Sequence, residues 1–169
     1  MTVDKHELLV FLETVDNQLQ RPLVIVAVGG TAMTLLGIKP STIDMDFDVT
    51  AADFPALKKA LAAVPHGYRI DVFTGGLIFS QQLPEDYLQK TIPVASFRNI
   101  QVRALRPLDI IVTKIGRLNQ RDEEDIKDCI RRFAITKTQI LRRAEKIIYI
   151  GKEELYKDNL RYVCSRFYP

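Results

Sequence analysis

Residues 42–50 alternate between apolar and acidic side chains, and this pattern constrains the fold more than any other segment of the chain. A period of two is that of a β-strand, whose successive side chains point to opposite faces. The two predicted faces carry Ile43, Met45, Phe47 and Val49 on one side and Asp44, Asp46 and Asp48 on the other. Aspartate is depleted in strands, and like charges on one face repel each other. We therefore expect the acidic face to meet water or a cation.

A glycine pair, Gly29-Gly30, precedes this strand, with thirteen residues between the pair and the first aspartate. The apolar run at residues 23–28 is rich in β-branched residues and predicts a buried strand. Residues 31–36 are expected to form a short helix, closed by Gly37. Because glycine lets a backbone approach a phosphate closely and a helix N-terminus offers N–H groups, the pair is a candidate phosphate-binding turn. A plain tight turn is the alternative interpretation.

The remaining periodicities predict an α+β fold, with a small mixed-sheet core and appended C-terminal helices. Helices are expected at residues 4–20, 53–64, 107–120, 122–134, 137–150 and 153–165, and strands at residues 68–73, 91–97 and 100–105. The last two strands are expected to form a hairpin, and Asp53 is expected to cap its helix. Residues 77–90 fit neither period. We expect residues 1–106 to form the α/β core and residues 107–169 a helical region packed on it.

The composition argues against several classes of protein. No apolar run approaches the ~20 residues of a membrane span, and the N-terminus lacks the apolar stretch of a signal peptide. The two cysteines and the two histidines are isolated from one another in the sequence, so a structural zinc site is not expected. We expect a cytoplasmic location and no membrane partner.

The net charge of +3 hides an asymmetry along the chain. Residues 131–169 contain ten Lys/Arg and four Asp/Glu, whereas residues 1–130 contain fourteen Lys/Arg and seventeen Asp/Glu. An acidic body with a basic tail region suits a protein that holds a metal in one place and a polyanion in another. A solvated helical surface explains the basic residues equally well.

Asp44 and Asp46 are two residues apart, so their carboxylates are expected to project together. Such a pair can bind Mg²⁺, which takes one or two carboxylates, keeps several waters and accepts phosphate oxygens as its remaining ligands. Mn²⁺ is the alternative ion. The following strand carries Asp71, which would serve as a metal ligand or as general base for an attacking hydroxyl. A solvent-exposed strand face is the alternative explanation, and Asp46 with Asp48 is the alternative ligand pair.

These motifs resemble those of a known superfamily. The segment Val28-Gly29-Gly30-Thr31, the strand with Asp44-Met45-Asp46 and the later Asp71 are similar to the glycine turn, Asp-X-Asp strand and third acid of the DNA polymerase beta-like nucleotidyltransferases. Residues 107–117 and 121–128 resemble the AbiEii-toxin-like branch, the small prokaryotic members in which a lysine on one helix and an acid on the next complete the site. The resemblance covers about residues 23–134.

The resemblance implies a role for each matching residue. Gly29, Gly30 and Thr31 would bind the triphosphate, where Thr31 supplies the hydroxyl that serine provides in many members. Lys114 would neutralise triphosphate charge, and Arg117 would share its helix face. The acids of the site would be Asp44, Asp46 and Asp71 as metal ligands and Asp125 as the late acid, with Asp128 as the alternative to Asp125. A charged surface on two helices is the other explanation for the residues after position 113.

The implied function is metal-dependent transfer of a nucleoside monophosphate from a nucleoside triphosphate to an acceptor hydroxyl. The acceptor would be an RNA end, such as that of tRNA, or a protein. One alternative is a catalytically inactive protein of the same fold that binds nucleic acid through its basic helices. Another is one half of a toxin–antitoxin pair, with the terminal helices binding a partner protein.

Overall fold

The computed structural model describes residues 1–169, and it confirms the α+β class. A single 3₁₀ helix, Glu85–Lys90, accompanies ten strands and seven α-helices. These elements follow in the order β1 (Val3–Asp4), α1 (Lys5–Asp16), β2 (Leu23–Ala27), α2 (Gly29–Leu35), β3 (Ser41–Thr42), β4 (Met45–Val49), α3 (Phe54–Ala63), β5 (Ile70–Thr74), β6 (Leu77–Ile78), β7 (Gln81–Gln82), β8 (Ile92–Ser96), β9 (Ile100–Ala104), α4 (Pro107–Ile115), α5 (Gln120–Phe133), α6 (Lys137–Ala144), β10 (Ile148–Tyr149) and α7 (Glu153–Phe167). No helix is both long enough and apolar enough to cross a membrane.

The chain divides into two compact units. The N-terminal unit contains residues 1–75 and 91–105, and the C-terminal unit contains residues 76–90 and 106–169. The segment 76–90 thus belongs with the C-terminal helices. The expected division of the chain at residue 106 stays a prediction about domains.

A mixed five-stranded sheet forms the centre of the N-terminal unit, in the order β5-β4-β2-β9-β8. Strands β4 and β5 are parallel, as are β2 and β9, whereas β2 pairs with β4 in the antiparallel sense. The predicted hairpin is confirmed, because β8 and β9 pair antiparallel with an irregularity in register between Pro93 and Ala95. The buried residues of the three middle strands are apolar except for Asp48 of β4. Four of the five residues of β2 are buried, including three in succession, so the core lies on both sides of this strand.

Hydrogen bonds between side chains and the backbone fix both ends of helix α1. Its first turn is a capping box, in which Asp4 accepts from the backbone N–H of Glu7 and Glu7 accepts from that of Asp4. At the other end the buried carboxylate of Asp16 accepts from the backbone N–H groups of Asn99 and Ile100, at 2.7 and 2.6 Å. These bonds tie the end of α1 to the turn of the β8–β9 hairpin.

The C-terminal unit is built around α4, whose residues are almost all buried although the helix has only nine of them. Helices α5, α6 and α7 pack against it. The buried apolar side chains of this unit include Ile110, Ile111, Val112, Ile115, Ile126, Ile140 and Val163. Three short strands of the same unit pair in the order β10-β7-β6.

A buried arginine links three elements of the C-terminal unit. Arg143 donates to both carboxylate oxygens of Asp109, at 2.6 and 3.0 Å, and to Asp86 at 2.8 Å. Burial opposes the charge of Arg143, but the hydrogen bonds and charges of the two aspartates outweigh that effect, so the pKa of Arg143 is raised. The network connects α6 to α4 and to the 3₁₀ helix.

The structure corrects several predicted boundaries. The helix predicted at residues 107–120 ends at Ile115, because the chain turns at Gly116. The helix predicted at residues 137–150 ends at Ala144, because residues 148–149 pair with β7 as strand β10. The helix predicted at residues 4–20 spans Lys5–Asp16. The ambiguous segment 77–90 contains two short strands and the 3₁₀ helix.

The predicted cap at Asp53 is wrong in its mechanism. Asp53 occupies the N-cap position of α3, yet its side chain makes no capping hydrogen bond. Instead its carboxylate accepts from Arg21 at 2.6 Å. Helix α3 begins with Pro55 in its first turn, which has no N–H to leave unsatisfied.

Candidate active site

The acidic residues Asp46 and Asp71 lie opposite each other on neighbouring parallel strands. Met45 to Val49 of β4 pair in register with Ile70 to Thr74 of β5, and Asp46 is the partner of Asp71. Partner side chains of adjacent strands share one face of the sheet. The side chain of Asp71 is half exposed at 50%, and Asp46 is half-buried. The sheet therefore places two carboxylates side by side where solvent reaches them.

The third acid, Asp44, lies just before β4 rather than on it. The strand predicted at residues 42–50 is split into β3 and β4, and Asp44 occupies the bend between them. Ile43, predicted to share the apolar face, is 46% exposed instead. The split arises because residues 41–42 pair with β1, whereas residues 45–49 pair with β5.

The hydroxyl of Thr31 connects the bend at Asp44 to the start of α2 through two hydrogen bonds. It donates to the backbone carbonyl of Asp44 at 3.1 Å and accepts from the backbone N–H of Asp46 at 2.8 Å. Thr42 also donates to the Asp44 carbonyl, at 3.0 Å. Thr31 is fully buried, so its hydroxyl sets the backbone on both sides of Met45. The spacing of the two carboxylates thus depends on a residue thirteen positions away from Asp44.

The glycine pair forms the first turn of α2 instead of a separate loop before it. Helix α2 spans Gly29–Leu35, whereas the prediction placed the helix at residues 31–36. Gly29 adopts a φ of 53°, a left-handed conformation that residues other than glycine rarely adopt. This conformation lets the chain pass from β2 into α2 with only Val28 between them.

Gly30 has no room for a Cβ atom in the present arrangement. A Cβ atom built at Gly30 would lie 2.8 Å from the Thr42 hydroxyl and 3.9 Å from the Nζ atom of Lys39. A contact of 2.8 Å is too short for a real Cβ, so glycine is required here as the site is arranged. A hydroxyl and an ammonium group therefore converge on the face of Gly30 from which a side chain is missing.

The side chains at and just before β4 that could hold a metal ion are the carboxylates of Asp44 and Asp46. Carboxylate oxygens are the ligands that Mg²⁺ and Mn²⁺ prefer. No group of three or more His, Cys, Asp or Glu side chains in the chain is placed to hold a metal ion. Asp44, Asp46 and Asp71 are therefore not brought together as a three-ligand cluster. Two carboxylates are nevertheless enough protein ligands for Mg²⁺, because waters and phosphate oxygens supply its remaining ligands.

Lys114 lies in a separate cluster of charges within the C-terminal unit. Its side chain is 3% exposed and makes ion pairs with Asp122 and Asp125, each at 3.0 Å. Arg117 donates twice to Asp122, at 2.7 Å in both contacts, and its guanidinium lies 4.7 Å from the centre of the Phe79 ring. The prediction that Lys114 and Arg117 share a helix face is wrong, because α4 ends at Ile115 and Arg117 lies in the turn after it. The two side chains instead share the partner Asp122.

Asp122 is the centre of this cluster and was not predicted as a site residue. Burial opposes its ionisation, but hydrogen bonds from Arg117 and Lys114 and the charges of both outweigh burial, so the pKa of Asp122 is lowered. Asp122 also completes the capping box of α5 with Asn119. The sequence does contain this second role, because Asn119 and Asp122 have the spacing of a capping box.

Comparison with known proteins identifies the family. Residues 6–165 match a family described as a nucleotidyltransferase of unknown function (DUF6036). The chain belongs to this nucleotidyltransferase family. No curated protein and no solved structure matches the chain. The resemblance to the AbiEii-toxin-like branch stays a prediction.

The predicted site residues of this nucleotidyltransferase fall into two groups. The first group lies in the N-terminal unit and consists of Gly29, Gly30, Thr31, Asp44, Asp46 and Asp71. The second group lies in the C-terminal unit and consists of Lys114, Arg117 and Asp125. Asp128, the alternative to Asp125, is exposed on α5, whereas Asp125 is buried beside Lys114. Participation of both groups in one reaction stays a prediction.

Proposed function

We propose that this chain transfers a nucleoside monophosphate from a nucleoside triphosphate to an acceptor hydroxyl, and that the aspartates of β4 and β5 perform the transfer. The observation that carries the proposal is the pairing of Asp46 with Asp71 on neighbouring strands, next to the bend that contains Asp44. Asp46 pairs in register with Asp71, and the Thr31 hydroxyl holds the backbone of Asp44 and Asp46 against the first turn of α2. A costly acidic face is thereby held rigidly, as expected of a group of catalytic carboxylates.

Asp44 and Asp46 would hold Mg²⁺, with Mn²⁺ as the alternative ion. When bound, the ion would supply charge neutralisation on the phosphate oxygens and a template for the nucleotide. Both aspartates are half-buried, whereas Asp48 is fully buried on the same strand. This difference in exposure supports Asp44 with Asp46 over the alternative pair of Asp46 with Asp48.

Asp71 would act as general base, or as an additional metal ligand. As a base, its carboxylate takes the proton of the acceptor hydroxyl while that oxygen forms a bond to the α-phosphorus. The bond between the α-phosphorus and the bridging oxygen breaks, and pyrophosphate leaves with the electron pair. The protein's contribution is positioning and charge neutralisation, as in phosphoryl transfer generally. The half-exposed side chain of Asp71 leaves room for an acceptor to approach.

The C-terminal cluster keeps in this proposal the role that the resemblance implies, although Asp122 and Asp125 balance the charges of Lys114 and Arg117 there. Lys114, oriented by Asp122 and Asp125, and Arg117, oriented by Asp122, would neutralise charge on the triphosphate. The basic residues of positions 131–169 would attract an RNA acceptor. A protein hydroxyl is the alternative acceptor.

The proposal is tested by incubating the protein with each α-³²P-labelled nucleoside triphosphate, Mg²⁺ or Mn²⁺, and either total tRNA, other RNA or the protein itself. We expect label in one acceptor class and one equivalent of pyrophosphate for each nucleotide transferred. The Asp46→Asn variant should show neither product, and Glu13→Gln, an exposed change on α1, should behave as the wild type.

Two other outcomes separate the alternatives. Salt-dependent RNA binding without pyrophosphate release, unchanged in the Asp44→Ala and Asp46→Ala variants, supports the inactive nucleic-acid-binding protein. A stable complex with a protein encoded beside it, together with loss of transfer in that complex, supports the toxin–antitoxin pair.

A further inference from the structure

We propose that an aromatic pocket beside α1 stacks an unpaired base at the end of an RNA acceptor, and that Arg69 binds the phosphate next to that base. The aromatic pocket is a groove lined by Phe11 of α1 and by His66 and Tyr68, which lie between α3 and β5. The inference rests on the proposed function, because it names the acceptor class of the same site. The family resemblance assigns no role to these three aromatic residues or to Arg69.

The aromatic pocket has the size and the lining of a site for a planar ring. Its volume is about 590 Å³, and ligand pockets occupy ~300–1,000 Å³. The rings of His66 and Tyr68 are nearly parallel, with 12° between their planes and 6.1 Å between their centres. The Phe11 ring is roughly perpendicular to both, with 5.3 Å between ring centres in each pair. A ring that stacks on either His66 or Tyr68 is therefore parallel to both.

The exposure of the three rings suits a stacking surface. Phe11 is 7% exposed and belongs to the core beneath the pocket, whereas Tyr68 is half-buried and His66 is exposed. Every base has a π face, so accessible aromatic rings bind bases with little regard to sequence. The Nδ1 atom of His66 accepts from the backbone N–H of Tyr68 at 3.2 Å. This hydrogen bond holds the two outer rings in a defined arrangement.

Arg69 connects the aromatic pocket to the acid on β5. Its side chain is 75% exposed, and its Nε atom lies 3.8 Å from a carboxylate oxygen of Asp71. The backbone is fixed at this point, because the carbonyl of Arg69 accepts from the backbone N–H of Met45 at 2.9 Å. An exposed ion pair at 3.8 Å is weak, so the guanidinium can bind a phosphate without losing a strong partner.

The order of these groups along the chain matches the order of groups at the end of a nucleic acid strand. Tyr68, Arg69 and Asp71 fall within a span of three residues, so at most about 11 Å separates the first Cα atom from the last. A ring surface, a cation and a carboxylate follow one another, as a base, a phosphate and a hydroxyl do in the strand. Proteins that bind single strands combine a basic path for the backbone with aromatic side chains for the bases. A protein hydroxyl would bring neither a base nor a backbone phosphate to these groups.

The opposite wall of the aromatic pocket offers little attraction to a phosphate. Glu7 lines that wall, and its carboxylate accepts from the backbone N–H of Asp4 at 2.9 Å in the capping box of α1. A carboxylate held at this position repels a polyanion. Affinity for the strand should therefore depend on stacking inside the pocket and on Arg69 at its edge.

The test measures the binding of fluorescein-labelled RNA probes by fluorescence anisotropy. The probes are a short single strand, the same strand with abasic sites at its acceptor end, and a blunt duplex. Comparison of the first two probes isolates the bases, because both carry the same phosphates. Titrations at several salt concentrations measure the number of phosphate contacts.

The variants separate the rings from the charge. Tyr68→Leu and His66→Asn each remove a ring, Tyr68→Phe keeps one, and Arg69→Gln removes the cation. In His66→Asn the amide oxygen can still accept from the N–H of Tyr68, as in an Asx turn. The matched controls are Phe54→Leu and Lys59→Gln, which change a half-buried ring and an exposed cation of α3 in the same unit. Thermal unfolding shows which variants are folded, and the exposed position of His66 makes His66→Asn the second test of the pocket if Tyr68→Leu does not fold.

We expect Tyr68→Leu and His66→Asn each to weaken binding of the single strand by about five- to a hundredfold, the range for loss of stacking on one base. Neither change should alter binding of the abasic strand, and Tyr68→Phe should stay within about threefold of the wild type. Arg69→Gln should weaken binding of both strands and reduce the slope of log affinity against log salt by about 0.7, the value for one phosphate contact. The two controls should match the wild type, and the duplex should bind equally to the wild type and the ring variants.

The binding outcomes that would overturn the inference are specific. If the wild type binds the abasic strand as tightly as the complete strand, no base stacks in the pocket and the inference is wrong. It is also wrong if folded Tyr68→Leu or His66→Asn binds the complete strand as tightly as the wild type.

The transfer assay on the same variants separates this inference from the proposed function. Transfer to RNA that is unchanged in Tyr68→Leu and His66→Asn supports the proposed function and contradicts the inference. Transfer to a protein hydroxyl alone does the same. Binding of the single strand that depends on the rings, without transfer to any acceptor, supports a base in the aromatic pocket and contradicts the proposed function.

Discussion

Asp46 and Asp71 are register partners on the parallel strands β4 and β5, so two carboxylates of like charge lie side by side on one face of a sheet. Like charges directly opposite each other on neighbouring strands are destabilising. The buried Thr31 hydroxyl fixes the backbone at Asp46, and the Arg69 guanidinium lies 3.8 Å from the Asp71 carboxylate.

Replacing Asp71 with asparagine should separate stability from activity. Asp71→Asn removes one of the two like charges, so the free energy of unfolding should stay constant or rise by at most about 1 kcal/mol. Nucleotide transfer should fall by about a hundredfold or more, because a general base contributes that much. Urea unfolding and the transfer assay measure the two effects. A clear loss of stability would instead assign Asp71 a structural role, with Glu13→Gln as the reference variant.

Removing the Thr31 hydroxyl should loosen the bend that contains Asp44. In Thr31→Val the backbone N–H of Asp46 and the carbonyl of Asp44 lose their shared partner within a buried environment. The cost of such a loss is about 1–3 kcal/mol in the free energy of unfolding. Thr31→Ser keeps the hydroxyl and should retain most of the stability and Mg²⁺-dependent activity. Equal urea midpoints for the two variants would contradict this role of the hydroxyl.

The close contact at Gly30 predicts a coupling between two substitutions. Gly30→Ala places a Cβ 2.8 Å from the Thr42 hydroxyl, so we expect destabilisation of about 1–3 kcal/mol. Thr42→Ala removes that hydroxyl and should recover part of the lost stability. The double variant should therefore lose less free energy of unfolding than the two single variants lose in sum. Additive free energies of unfolding would show that the contact with Thr42 is not the cause.

The lowered pKa of Asp122 predicts how stability depends on pH. Because the folded-state pKa lies below the unfolded value of about 3.9, the unfolded state binds more protons between the two values. The contribution of Asp122 is therefore complete above pH 5 and is lost as the pH falls through the folded pKa. Asp122→Asn should be less stable at pH 7 and should lose less stability than the wild type between pH 5 and pH 2. Parallel curves of stability against pH for the two proteins would contradict this assignment.

The elements that the sequence predicted well are those with a local cause. Residues 23–28 are a continuous apolar run rich in β-branched residues, which favours a buried strand. The observed β2 spans Leu23–Ala27. Helix α5 has a complete capping box, and its predicted range differs from the observed one by two residues at most. The hairpin of β8 and β9 needs only a short turn between two apolar runs.

The features that could not be predicted depend on contacts far apart in the chain. Strand β10 has two residues and pairs with β7, which lies more than sixty positions earlier. The bend at Asp44 is set by Thr31 and by the pairing of β3 with β1, neither of which changes the alternating pattern. The proximity of the Lys39 Nζ atom to Gly30 could not be predicted either, because it depends on how the chain folds after α2.

Calorimetric titration of a Mg²⁺–nucleoside triphosphate into the wild type and into the Asp44→Ala/Asp46→Ala variant measures whether these two aspartates bind the metal–nucleotide complex. We expect the wild type to bind the nucleotide only with Mg²⁺ or Mn²⁺. The double variant should lose this metal-dependent binding and should still unfold cooperatively. Nucleotide binding of equal affinity in both folded proteins, or binding indifferent to the divalent ion, would contradict this expectation.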